Sequence, residues 1–205
     1  MTFRQRIENY WYHYKWHTII AVFFIVTFIV CLVQCSLKEK PDDCALLYIN
    51  QNLTDNAANE LSVLLGEYIG DYNDNGEVLY RVNNVSYSKE STVNPNYAVT
   101  NSQKLLAAVT TADYVLYIVD EHGYGYLMSD ETRLFETYDF MPDKDGTAWN
   151  WRGSRLWTQM REYGLPDDLY FCIRRLSDTI AEKDPDAAQL QKQAEMLVQK
   201  LIEEN

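Results

Sequence analysis

Between Lys15 and Lys38 the chain carries no charged residue, and this gap of 22 positions constrains the fold more than any other feature. As α-helix such a stretch measures about 33 Å, close to the ~30 Å hydrocarbon thickness of a bilayer. Its centre, Ile19 to Val33, has no Gly or Pro and only Thr27 and Cys31 among polar types. A surface helix of a soluble domain keeps a polar face, so this run reads as a membrane span over residues 18–37. Ahead of it Tyr10, Trp11, Tyr12, Tyr14 and Trp16 put five aromatics in seven positions, interleaved with His13 and Lys15. Amphipathic rings and basic groups of this kind settle at lipid headgroups. Tyr10, Trp11, Tyr12, Tyr14, Lys15 and Trp16 are therefore the expected membrane interface, and the lipid bilayer is the expected partner of residues 18–37.

Orientation is set by the flanking charges. Arg4, Arg6 and Lys15 outnumber Lys38 and Lys40 by one, and Asp42 and Asp43 follow the latter pair. The positive-inside bias then puts the tail, residues 1–17, in the cytoplasm and the rest of the chain outside. A cleaved signal peptide competes with this reading, and Leu32-Val33-Gln34-Cys35 is the stretch a lipoprotein signal would use. Gln34 stands where such processing takes a small residue, and the apolar run is long for a signal peptide, so an uncleaved anchor is expected.

Beyond the span the chain has room for one domain of ordinary size, since its full length is 205 residues. With 47% hydrophobic residues and 16 Tyr against 8 Gly and 5 Pro, a folded core is expected rather than disorder. Residues 36–205 hold 15 basic against 29 acidic side chains, a net charge of −14. That charge repels a phosphate backbone and no basic patch offsets it, so no nucleic acid is expected as a partner.

Residues 38–43 read as a polar linker, and residues 44–205 as the outer domain. Cys44-Ala45-Leu46-Leu47-Tyr48-Ile49 is a continuous apolar run, the pattern of a strand covered on both faces. Thr54 or Asp55 can cap a helix through Ala57, Leu61, Leu64, Leu65 and Tyr68. A second strand is expected from Glu77 to about Tyr87, with a bulge where Asn83-Asn84 breaks the alternation. Thr100-Asn101-Ser102-Gln103 has the form of a capping box and predicts a helix start there. Tyr114 to Val119 reads as the third strand, Trp149-Asn150-Trp151 as a hairpin or edge strand, and Leu169 to Ile173 as a further buried strand. Asp184-Pro185 opens a terminal helix whose stripe, Leu190, Ala194, Leu197 and Leu201, fits docking on the domain's own sheet. The alternation of strands and helices predicts an α/β fold: a mostly parallel sheet flanked by helices behind a single transmembrane helix.

The stretch Tyr12-His13-Tyr14-Lys15-Trp16-His17 ahead of one span resembles a group of membrane-anchored extracytoplasmic proteins of Gram-positive bacteria. The stretch from Gln103 through Ala112-Asp113 to Leu116 is similar to the helix, small-residue turn and apolar strand in a lobe of ABC-transporter solute-binding proteins. Gly164-Leu165-Pro166-Asp167-Asp168-Leu169-Tyr170 resembles the lead into the closing strand of such a lobe. The resemblance implies a solute-binding-like lobe. Full binding proteins close two lobes over a ligand, and this chain has residues for about one.

Open parallel sheets present ligands at the carboxyl ends of their strands. Asn50 and Gln51 follow the first strand, Asp120 and Glu121 follow the third, and Tyr124 lies just beyond; these five are the candidate ligand-facing rim. Trp149, Trp151 and Trp157, with Arg152 and Arg155 between them, form either a stacking platform for a sugar or aromatic partner or part of the core, and Trp149, Trp151 and Arg152 join the binding candidates. Asp71-Tyr72-Asn73-Asp74-Asn75-Gly76 matches the first half of a calcium loop, but Val82 stands where its bidentate Glu belongs, so a turn is expected and no metal. Cys44 and Cys172 could pair only as neighbours, and two buried thiols are the alternative. His122 is the one His beyond the span, and no nucleophile elbow or phosphate-cradling glycine loop occurs, so no cofactor is expected. These features predict a membrane-anchored extracytoplasmic recognition or scaffold domain that binds a small solute or a membrane-protein partner. A membrane-tethered hydrolase acting on cell-wall material through Asp and Glu is the alternative.

Overall fold

The computed structural model describes residues 3–36, 42–50, 53–86, 95–111, 114–129, 132–176 and 185–204. Gln51, Asp113 and Asp184, singled out from the sequence, lie outside them, as do residues 37–41, which include most of the expected linker, and the side chain of Cys35. The chain divides into two compact units, Met1–Pro41 and Asp42–Asn205.

The first unit is one helix, α1 (Phe3–Ser36), about 51 Å long at 1.5 Å per residue. Within it Tyr10–Val33 is long and apolar enough to cross a membrane, and none of that segment is buried within the protein. A 24-residue helix face with no protein partner exposes Phe23, Phe24, Ile25 and Phe28, which water does not favour. Tyr10 and Tyr14, one turn apart, stack with ring centroids 5.3 Å apart, and Thr18 donates to the Tyr14 carbonyl at 3.0 Å. Tyr10, Trp11, Tyr12, Tyr14, Lys15 and Trp16 are all exposed on this helix.

The second unit is an α/β domain. Its elements are β1 (Cys44–Asn50), α2 (Asp55–Ile69), β2 (Tyr80–Ser86), α3 (Pro95–Thr110), β3 (Leu116–Val119), α4 (Glu121–Leu127), β4 (Trp149–Asn150), α5 (Arg155–Met160), β5 (Tyr170–Ile173) and α6 (Pro185–Glu203). The sheet order is β2-β1-β3-β5-β4. β1 runs parallel to β2, from Cys44 opposite Tyr80 to Asn50 opposite Ser86, and parallel to β3, with Leu46 opposite Leu116. β5 runs antiparallel to both β3 and β4. The sheet is thus mixed rather than mostly parallel. A continuous apolar run reports that both faces of a strand are covered, not which way it points, and β5 returns beside β3 after the chain has turned through β4 and α5.

Side-chain alternation splits the core into two layers. Leu46, Tyr48, Leu116, Ile118, Phe171 and Ile173 face Leu61 and Leu65 of α2 and Ala194, Leu197 and Leu201 of α6. Leu47, Ile49, Tyr117, Val119 and Cys172 face Leu105 of α3, Leu127 of α4 and Phe135. Each fully buried Leu, Ile or Phe contributes about 1.5–3 kcal/mol relative to exposure, so the two layers fix the register of the central strands. The α6 stripe docks on β1, β5 and α2.

Three local expectations are corrected. The pairing of β2 with β1 runs without interruption through Asn83 and Asn84, so no bulge forms there; Asn83 is half-buried and Asn84 exposed, and the broken alternation reflects an edge position. α3 begins at Pro95, so Thr100 to Gln103 lie inside the helix rather than capping it. The compact domain begins at Asp42, and Asp43 is fully buried, so these two residues belong to the fold and not to a linker. Thr54 caps α2 as expected, accepting from the Ala57 amide at 3.3 Å.

Candidate functional site

The order β2-β1-β3 makes the chain cross from one side of β1 to the other, and α2 and α3 pack in opposite layers. The carboxyl ends of β1 and β3 are therefore the switch point of the sheet, the place where open α/β sheets commonly bind ligands. Asn50 ends β1 there and is almost completely buried. Asp120 follows β3 and caps α4, its Oδ1 accepting from the Gly123 amide at 2.6 Å. A Cβ on Gly123 would lie 3.2 Å from that oxygen and 3.6 Å from Cγ2 of Ile49. Glycine thus lets the first turn of α4 sit against the ends of both strands. Burial first, and the Asp120 carboxylate second, push the Tyr48 phenol far above its ordinary value, while a hydrogen bond with Asn50 opposes them. Asn50, Tyr48 and Asp120 are therefore electrostatic neighbours at the strand ends.

Glu121, the first residue of α4, meets Lys144 from a distant loop. The Lys144 Nζ lies 2.6 and 2.8 Å from the two Glu121 oxygens. It also stands 5.3 Å from the ring centroid of Tyr124 and 5.1 Å from that of Tyr170. The Lys144 hydrogen bond holds the Glu121 carboxyl below its usual range, and the same contact raises the lysine. Tyr124 shares a 2.5 Å hydrogen bond with the Thr147 hydroxyl, stacks on Phe135 at 5.9 Å and meets Tyr170 at 6.1 Å.

The loop that delivers Lys144 is wound left-handed, with φ of 50° at Lys144, 57° at Asp145 and 84° at Gly146. Side chains disfavour this region by about 1–2 kcal/mol per residue. Gly146 has a second reason to be glycine, because a Cβ would stand 3.0 Å from the Tyr138 carbonyl oxygen. Hydrogen bonds pin the turn: Gly146 N–H donates to Asp143 O at 3.0 Å, Tyr138 N–H to Gly146 O at 2.7 Å, and Asn150 N–H to the Asp143 carboxylate at 2.7 Å.

The expected rim is thus assembled in part. Asn50, Asp120, Glu121 and Tyr124 gather at the carboxyl ends of β1 and β3, and Gln51 lies outside the described residues. The tryptophans do not join them. Trp149 is 2% and Trp151 1% exposed, both pack on Phe171, and the Trp151 indole donates to the carbonyls of Pro166 at 3.2 Å and Asp167 at 3.1 Å. Of the two readings, core packing holds for this pair, and no exposed stacking platform forms from them. Trp157 is half-buried, with the Arg161 guanidinium 4.6 Å from its ring. Arg152 is exposed and pairs with Asp168 at 3.3 Å.

In the Asp71 loop, oxygens that would ligate calcium accept from backbone amides instead: Asp71 from Asn75 and Gly76, Asn73 from Asn75, and Asn75 from Glu77. The segment is a turn with left-handed Asp74 and Gly76. Among the described residues no cluster of His, Cys, Asp and Glu could hold a metal. Lys144, Thr147 and Tyr170 were not legible as site residues, because spatial proximity to Glu121 across 23 positions leaves no local signal. No protein-family model matches the chain, and neither a curated protein nor a solved structure matches it significantly, so the reading of this site rests on its geometry.

Proposed function

We propose that the protein is a single-pass membrane protein with a cytoplasmic N-terminus and an extracytoplasmic α/β domain that recognises a small solute or a protein partner at the cell surface. The observation that carries this reading is the rim itself: Asn50, Asp120, Glu121 and Tyr124, separated by up to 74 positions, converge at the ends of β1 and β3. An unpartnered apolar helix of 24 residues supports the anchor, and the flanking basic residues support its direction. The three parallel strands with helices on both faces support likeness to one lobe of a solute-binding protein.

The hydrolase alternative finds less support. A pair of acidic groups working on a glycosidic bond needs free carboxyls facing one space. Asp120 is engaged by the Gly123 amide, and Glu121 by Lys144.

Melting curves of the full chain in uncharged detergent, recorded with sugars, peptides and amino acids, test the proposal. A ligand at ~100 times its Kd adds about 2.7 kcal/mol of stability, enough to move the midpoint. One class should shift the midpoint, and Asp120→Ala should abolish the shift. If no class does so and crosslinking in cells captures no reproducible neighbour, the recognition reading is overturned.

A further inference from the structure

Lys144 is held by an arrangement that would hold any primary ammonium. Two of its three donors reach the Glu121 oxygens at 2.6 and 2.8 Å, and its charge lies over two tyrosine faces at 5.3 and 5.1 Å. Both distances fall within the ~6 Å reach of a cation over an aromatic ring. The aromatic walls of this cage do not depend on the lysine side chain: Tyr124 is fixed by Thr147 and Phe135, and Tyr170 by its strand pairing with Val119 and Asn150. Glu121 is placed by its position at the start of α4, and its carboxylate is held by Lys144 and by a hydrogen bond with Tyr170.

The strain sits on the other partner. Lys144 and Asp145 are non-glycine residues in the left-handed region, so the tether is the disfavoured part and the cage is not. Side-chain exposure is 28% for Lys144 and 66% for Glu121, so solvent already reaches the contact. An exposed ion pair of this kind is worth little by itself, which makes it easy to exchange.

We propose that Lys144 is an internal occupant of a binding site for an external primary ammonium group, formed by the Glu121 carboxylate and the faces of Tyr124 and Tyr170. This inference rests on reading the rim as a recognition surface and names the ligand chemistry that surface takes. Hydrogen bonds to both Glu121 oxygens select a primary ammonium over a quaternary one, which has no N–H to donate. Amino acids, peptides, amino sugars and ethanolamine headgroups share that group. Lys144 competes with them and sets a threshold concentration for binding.

The test compares the wild-type full chain with Lys144→Gly in dodecyl maltoside, an uncharged detergent. Glycine accepts the left-handed φ, so the variant keeps the turn. The probe is n-butylammonium, which reproduces the lysine side chain, and saturation-transfer NMR reads its binding. The expected result is binding to both proteins, at least about tenfold tighter to Lys144→Gly, lost in the Glu121→Gln/Lys144→Gly double variant, and weaker for tetramethylammonium. Competition by glycerophosphoethanolamine but not by alaninamide would assign the site to lipid headgroups, and the reverse to amino acids or peptides. Equal affinity in wild type and Lys144→Gly, or binding insensitive to Glu121→Gln, overturns the proposal. If n-butylammonium binds neither protein while another ligand class shifts the melting point through Asp120, the ammonium site fails and the recognition reading stands.

Discussion

Asp43 and Leu79 are joined twice: the Asp43 amide donates to the Leu79 carbonyl at 2.8 Å, and the Leu79 amide donates to Asp43 Oδ2 at 2.8 Å. The other carboxylate oxygen accepts from the amides of Tyr72 and Asn73 at 2.9 and 3.1 Å. One buried side chain thus ties the start of β1, the loop after α2 and the lead into β2 together. A buried carboxylate is costly unless hydrogen bonds satisfy it, and here three backbone amides do so.

Asp43→Ala leaves those amides without their acceptor and should lower stability by about 3 kcal/mol, with Asp43→Asn losing less. The neighbouring Asp42→Ala removes a 3.1 Å pair with half-exposed Arg81 and should cost less than Asp43→Ala, about 1 kcal/mol. Urea denaturation of the three variants measures both effects, and equal midpoints for Asp43→Ala and Asp42→Ala would contradict them.

Cys44 and Cys172 should stay reduced and unreactive in the folded protein. They face opposite layers of the sheet, on strands separated by β3, so no disulfide can join them. Burial first, then Asp42 and Asp43, push the Cys44 thiol up to about 12, and burial also raises Cys172. Labelling by a thiol reagent at neutral pH should therefore require urea at both positions; rapid labelling of either without it would contradict the packing.

Alkaline pH should destabilise the domain. Burial is the largest cause raising the phenols of Tyr48, Tyr80 and Tyr138 and the thiol of Cys44 above their ordinary values of 10.0 and 9.0. Above those values the unfolded chain releases protons that the folded one keeps, so the unfolded state gains relative stability. The contribution is complete below about pH 9 and declines as pH rises through and beyond 10. Urea midpoints at neutral pH and in the alkaline range should fall accordingly, and a flat profile would contradict burial of these groups.

The tryptophans should separate by burial. Trp151→Ala removes a buried ring and its two indole hydrogen bonds and should cost about 3–5 kcal/mol. Arg152→Ala, on the exposed side of the same segment, should fall within about 0.5 kcal/mol of wild type. Thermal midpoints of the two variants measure the contrast.

The range of each interaction decided whether the sequence made it legible. The span, the Thr54 cap, the α6 stripe and the buried strands are encoded within a few residues, by spacing and by one polar side chain at a helix start. The direction of β5 was not readable, because its apolar run is the same whichever way it points. Asp43 looked like a linker residue, since its partners Tyr72, Asn73 and Leu79 lie 29 to 36 positions away. Glu121 and Tyr124 are candidates from their place after β3, whereas Lys144 lies in a loop whose left-handed turn includes two non-glycine residues and gives no local signal. Trp149 and Trp151 alternate with polar Asn150, a pattern shared by an exposed platform and an edge strand, and only the packing on Phe171 decides between them.

Everything proposed for the rim depends on the α/β domain standing outside the cell. Labelling with a membrane-impermeant maleimide tests this most directly, in a Cys35→Ser background so that buried Cys44 and Cys172 and the span residue Cys31 are the remaining native thiols. Glu162→Cys, on an exposed turn, should label in intact cells, and Arg4→Cys should label only after permeabilisation. The reverse pattern would place the domain in the cytoplasm and contradict its role in recognition at the cell surface.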